Sequence, residues 1–267
     1  MKTALITGCS SGYGHATAAR FLERGWNVVA TMRSPQTGLF APSERLRVVA
    51  LDVTRPDSIA SAVGEGIAAF GQLDVVVNNA GVGLMSALEV TPLETIRRVF
   101  ETNTFGVMAV TQAVIPHLRE RRAGTIINVT SSVGIVPMPL VSAYCASKYA
   151  VEGFSESLAY ELALFGVRVR IVQPGYGPTT RFAANGGPLD GLLPGAYQAY
   201  AAQLLGSLQS GVHTTEAQVA EVVLAAADDP GDRLRYPAGP DSEQLAALRR
   251  AGPDAYLDQM RVMLGPR

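Results

Sequence analysis

The chain lacks most of the features that mark a specialised class of protein. It has two cysteines, Cys9 and Cys145, in 267 residues. Two thiols build no disulfide framework, so a reduced, cytoplasmic protein is expected. No run of about 18 apolar residues occurs, and no membrane span is expected. The first apolar residues reach a Gly/Ser loop by Gly8, too soon for a signal-peptide core. Basic runs and acidic tails are missing, and the formal net charge is −1. Nucleic acid and anionic membranes are therefore not expected partners. His15, His117 and His213 are scattered without ligand spacing, which predicts no metal. There are no repeats and no low-complexity segments.

What is present is apolar and periodic. Hydrophobic residues make up 48% of the chain and charged residues 17%. That buries a large core, and one α/β domain over residues 1–267 is expected. Residues 3–7 read as a buried parallel strand, and residues 14–24 as a helix. Between them lies Thr7-Gly8-Cys9-Ser10-Ser11-Gly12-Tyr13-Gly14. Strand, glycine loop and helix N-terminus together make a site for a pyrophosphate. The spacing is Gly-x-x-x-Gly-x-Gly rather than the usual Gly-x-Gly-x-x-Gly.

Residues 27–32 form a second strand, with Arg33 just beyond it. No acidic residue lies between Trp26 and Gln36 to hold a ribose 2′-hydroxyl. Arg33 leans the site toward the 2′-phosphate of NADP, against an ordinary solvated arginine. Residues 46–51 read as a third strand leading to Asp52 and Val53. Asp52 could accept from an adenine amino group or cap a helix. Helix 56–70 and strand 75–77 follow, then Asn78-Asn79-Ala80-Gly81 at the ligand edge of the sheet. Residues 92–121 read as one or two helices. Asn103 within them either opens the helix toward water or faces solvent.

Residues 125–129 form a fifth strand, closed by Thr130-Ser131-Ser132. Helix 143–164 places Tyr144 and Lys148 one turn apart on one face. An ammonium there is expected to lower the phenol from its usual value near ~10, fitting the pair for acid–base work. Alone, the pair is also an ordinary helix feature, and Ser131 an ordinary cap. Cys145 has no positioned base and reads as packing. Residues 168–172 make a sixth strand before Gln173-Pro174-Gly175. The alternation predicts an α/β, three-layer doubly wound Rossmann fold with a mostly parallel, seven-stranded sheet. Residues 176–211 are apolar and hinge-rich, a candidate substrate loop or lid. Helix 214–227, an edge strand at 233–236 and a helical tail over 242–267, broken near Gly252-Pro253, complete the chain.

Together these residues resemble the classical short-chain dehydrogenase/reductase family, over residues 2–180 well and more loosely beyond. The matching features are the loop at 7–14, Asn78 to Gly81, Asn103, Ser131, Tyr144-x-x-x-Lys148, Pro174-Gly175 and Thr179. The Tyr-Cys-Ala-Ser-Lys and Ala-Thr-Met-Arg wording is similar to the steroid and retinol dehydrogenase branch. The resemblance implies an NADP(H)-dependent oxidoreductase of secondary alcohols or ketones, with NAD(H) as the other possible cofactor. Tyr144 would be general acid/base, Ser131 would hold the substrate oxygen, and Lys148 would bind the nicotinamide ribose. Asn103 would hold a water joining Lys148 to solvent. The implied cofactor contacts are Gly8, Ser10, Ser11, Gly12, Tyr13, Gly14, Arg33, Asp52 and Val53. Beyond these come Asn79, Ala80, Gly81, Tyr144, Lys148, Pro174, Gly175 and Thr179. Homodimers or homotetramers through helices 102–121 and 143–164 are implied as well. The substrate pocket is expected at 82–85, 133–140 and 176–211. Val136, Met138, Leu140, Tyr176, Phe182, Leu192 and Leu193 there favour a small hydrophobic carbonyl or alcohol. Two rival readings keep the fold: a catalytically silent NADP(H)-sensing protein, and a cofactor-free lyase resembling halohydrin dehalogenases. The intact Ser131, Tyr144 and Lys148 weigh against the first. The glycine loop and Lys148 weigh against the second.

Overall fold

A computed structural model describes residues 1–180, 185 and 191–265. The first strand, β1 (Thr3–Ile6), is buried along its whole length. Its residues alternate between two cores, as a two-residue period requires. Ala4 and Ile6 face one core with Phe21 and Val223, while Leu5 faces the other with Ile59 and Val114. Leu5 and Ile6 each contribute about 1.5–3 kcal/mol by leaving water. Covered on both faces, the strand reads as a continuous apolar run.

Helix α1 (Gly12–Glu23) follows, then β2 (Asn27–Met32), β3 (Leu46–Ala50), α2 (Pro56–Phe70) and β4 (Val75–Asn78). Proline at the start of α2 and the left-handed Gly71 at its end bracket that helix as its residue types predict. The expected helix over 92–121 is three pieces: α3 (Leu93–Phe100), a π-turn (Glu101–Phe105) and α4 (Gly106–Arg121). Asn103 sits in the widened turn, where the regular α-helix is interrupted, an irregularity common at functional sites. Strand β5 (Gly124–Val129), α5 (Ser142–Ala163) and β6 (Val167–Pro174) come next. The segment expected to be hinge-rich contains α6 (Gly195–Ser210). The chain then runs through α7 (Glu216–Asp228), β7 (Arg235–Ala238), α8 (Pro240–Arg250) and α9 (Pro253–Leu264).

The sheet order is β3-β2-β1-β4-β5-β6-β7. Every pairing is parallel, so the expectation of a mostly parallel sheet becomes a fully parallel one. α1 and α7 supply one core and α2, α4 and α5 the other. The chain reverses direction across the sheet between β1 and β4. The crevice at the carboxyl ends of those two strands is where such sheets bind ligands.

Candidate active site

Thr7 and Gly8 leave β1, and Asn79 and Ala80 leave β4, at this crevice. Thr7 Oγ1 accepts from the Asn79 and Ala80 amides, each at 3.0 Å. The Asn79 side chain donates to Thr7 O at 2.9 Å. Asn79 is thus a clamp on the loop, while Asn78 turns inward to Asn128 and Thr111. A Cβ on Gly14 would lie 2.3 Å from Gly8 O, and one on Gly8 2.9 Å from Ala80 Cα. Gly8 and Gly12 hold φ of 76° and 56°. The loop is therefore a bare backbone cradle, and Ser11 caps α1 without a side-chain bond to its amides. Amides left open at a helix N-terminus fit a dinucleotide's phosphates.

At the far side of the crevice, Asp52 Oδ1 accepts from the Thr54 amide and hydroxyl, at 3.0 and 2.8 Å. It organises the turn into α2, and Val53 beside it is buried in the core. Arg33 is exposed at the end of β2. A surface cavity of about 500 Å³ opens beyond it, lined by Pro35, Phe40, Pro42, Leu46 and others. It shares no lining residue with the tyrosine region.

Tyr144 is buried on α5, with its phenol hydrogen-bonded to Ser131. Ser131 also accepts from the Val133 amide at 3.3 Å, so the same hydroxyl caps the turn and meets the Tyr144 phenol. Lys148 Nζ donates to Val129 O at 3.2 Å and lies 5.9 Å from the Tyr144 ring centre. A Cβ on Gly81 would sit 3.3 Å from Asn103 Oδ1 and 3.7 Å from Lys148 Nζ. Gly81, Asn103, Lys148, Tyr144 and Ser131 thus meet at one place. The Asn103 side chain is fully buried and exchanges bonds of 2.8 and 2.9 Å with the Val82 backbone. Its side-chain amide is committed to the protein, which excludes the solvent-facing alternative.

The electrostatics also differ from the expectation. Burial pushes the Tyr144 phenol well above its ordinary value, against a smaller lowering by Ser131. Burial pushes Lys148 down to about 8, with Glu152 opposing it. Desolvation is the largest influence on the phenol, so Tyr144 stays protonated through the neutral range.

The segment after β6 folds back on the glycine loop. Tyr13 donates to Gly175 O at 3.4 Å, and a Cβ on Gly12 would touch Thr180 at 3.6 Å. The Thr179 hydroxyl donates to the Glu216 carboxylate at 3.0 Å. Asp241 holds this segment, accepting from the Tyr176 amide at 2.6 Å, and crowds Gly175. No local sequence signal announces Asp241, which lies far away in the chain. Phe182 lies outside the described residues. Cys145 donates to Val133 O at 3.2 Å, and Cys9 is buried with its thiol pushed up to about 12, so both pack. Among the described residues no cluster of three His, Cys, Asp or Glu could hold a metal, and no helix is long and apolar enough to cross a membrane.

A family profile for the short chain dehydrogenases matches residues 2–186. The chain belongs to that family. An uncharacterized oxidoreductase of Bacillus subtilis, YusZ, is 36% identical over 254 residues, covering 89% of each chain. Bovine retinol dehydrogenase 8 is 39% identical over 186 residues, 65% of this chain and 58% of its own. A short chain dehydrogenase/reductase from Burkholderia phymatum, solved in complex with NAD, superposes with a TM-score of 0.80 at 25% identity. That match covers 96% of this chain and 95% of the other. This short-chain dehydrogenase is accordingly an oxidoreductase acting on a CH–OH group with a nicotinamide cofactor, and its cradle fits one.

Proposed function

We propose that this dehydrogenase is an NADP(H)-dependent reductase of small hydrophobic ketones, in which Tyr144 donates the proton. The carrying observation is the convergence of Ser131, Tyr144, Lys148, Asn103 and Gly81 at the reversal point of the sheet. The bound nicotinamide supplies the hydride. Ser131 positions the carbonyl oxygen, and Tyr144, kept neutral by burial, delivers a proton to that oxygen. Lys148, charged below about pH 8, holds ribose hydroxyls and adds a positive field. Tyr144 packs with Leu84, Val133, Met138 and Leu192, which suits an apolar substrate. Leu140 and Leu193 join a neighbouring apolar cluster, while Val136 lies in a third under α9. Solved relatives hold NAD or NADP, so the choice rests on Arg33.

The test is cofactor consumption with NADPH and NADH across steroid, retinoid, acyl and aryl ketones. Loss of NADPH absorbance with apolar ketones is expected. No turnover with any of them would leave a silent NADP(H)-binding protein. Arg33→Asp should shift the NADP/NAD ratio of kcat/KM by roughly ten- to a hundredfold, the worth of about 1.5–3 kcal/mol for a charged hydrogen bond. An unmoved ratio would show that Arg33 does not read the phosphate. Tyr160 on α5 and Leu164 just past its end, 76% and 72% exposed, with Phe105 before α4, supply exposed apolar surface for a homodimer or homotetramer. The buried free thiols suit the cytoplasm.

A further inference from the structure

Tyr144, Lys148 and Glu152 follow at intervals of four on α5, so one face carries all three. The first two have roles in the reading above. Glu152 is only 6% exposed, and a carboxylate is costly to bury unless it is paired. It has three donors from three strands. Oε1 accepts from Thr130 Oγ1 at 2.7 Å, just past β5, and from Gln173 Nε2 at 2.9 Å on β6. Oε2 accepts from Arg235 Nε at 3.0 Å on β7. A Cβ on Gly134 would lie 3.2 Å from Oε1, a tight contact against the braced carboxylate.

The contacts form rungs between α5 and the end of β5. Lys148 grips Val129 O, Glu152 grips Thr130, and Tyr144 meets Ser131. Three successive residues of the strand end are thus fixed by three successive turns of the helix. Gln173 carries the same hold to the residue before Pro174-Gly175. We propose that Glu152 is a positioning residue for the reaction: its buried carboxylate sets Ser131 against Tyr144 and keeps the Lys148 ammonium charged. The proposal rests on the reductase reading only for the consequence in turnover. Burial drives Lys148 down to about 8, and Glu152 is the charge that opposes this. Arg235 of β7, paired also with Glu156 at 2.9 Å, faces Glu152 and weakens its field on the lysine. Tyr144, Cys145 and Tyr149 are the other titratable groups close by on α5. The facing groups from β5, β6 and the turn at Gly134 are neutral.

The chain has two lysines, Lys2 and Lys148. Lysine-selective ¹³Cε labelling therefore gives two titrating signals, with the exposed Lys2 as internal reference. In Glu152→Gln the Lys148 midpoint should fall by roughly one pH unit. In Arg235→Met it should rise, and Lys2 should not move in either. The basic limb of kcat/KM for ketone reduction should shift in the same two directions. A Lys148 midpoint unchanged in both variants, whatever the melting temperatures, would overturn the proposal and leave Glu152 a brace. Should Glu152→Gln not fold, an unchanged midpoint in Arg235→Met overturns it alone. The titration needs neither cofactor nor substrate, so its failure is distinct from failure of the carbonyl panel.

Discussion

Replacing Tyr144 with phenylalanine should lower kcat for ketone reduction by about 10²–10⁴-fold, the worth of a positioned general acid. The affinity for NADPH should stay within about twofold of wild type, because the ring and its packing are retained. The argument starts from burial. The phenol sits beside Val133 and Leu84, away from water, and its hydroxyl meets Ser131. An apolar site penalises the phenolate, so the hydroxyl remains a proton donor through the neutral range. Phenylalanine removes that proton and nothing else of similar size. The pH dependence follows from the lysine. Lys148 is lowered from 10.5 to about 8, so it is charged below that pH and loses its charge above it. Reduction by the wild type should therefore decline on the basic side near pH 8, well before the phenol ionises. Steady-state rates with a tight-turnover ketone, and NADPH fluorescence titrations, check both parts. Near-normal kcat in the variant would remove Tyr144 from the acid role.

The parts of this site that could be read in the sequence are those fixed by local periods. The run at β1, the glycines after it and the four-residue step from Tyr144 to Lys148 are all short-range patterns. A strand, a cradle and a shared helix face follow from them directly. Glu152 was legible by the same rule, another four residues on, but its meaning depends on β6 and β7, which are remote in the chain. Asn103 was visible as an oddity in a helix; that its amide closes on Val82 depends on where the β4 turn passes. The sense of the Tyr144 shift was missed because a sequence shows the neighbouring charge and hides the burial of both partners. Thr179 and Asp241 show the same limit. One bonds Glu216 and the other the Tyr176 amide, through contacts made only after the C-terminal third folds over the loop. Helix α6 hid in a stretch whose glycines and prolines suggested hinges: Pro194 and Gly211 flank it, and Gly206 is carried inside it.

Gly14→Val should abolish measurable NADPH binding, weakening it by at least about 100-fold, and lower the melting temperature by several degrees. The reason is steric and local. The first added carbon would lie 2.3 Å from Gly8 O and 2.4 Å from Asn79 Nδ2. Neither neighbour is a free side-chain end. Gly8 is held at φ 76° against Ala80, and Asn79 is tied to Thr7 O at 2.9 Å. To admit valine, α1 must lift off β1 or the Asn79 clamp must open. Both deform the amide cradle that the phosphates require. Overpacking of this kind costs about 1–3 kcal/mol, and a lost buried hydrogen bond adds to it. Gly64 supplies the contrast. It lies within α2, and nothing stands within 4 Å of its Cβ position. Gly64→Ala should raise stability by about 0.5–1 kcal/mol through helix propensity and leave binding alone. Thermal unfolding and NADPH titration of the two variants separate a cradle from an ordinary turn. If Gly14→Val bound NADPH as the wild type does, the loop between β1 and α1 would not be where the dinucleotide sits, because no phosphate-bearing backbone could absorb two methyl groups at that spot unchanged.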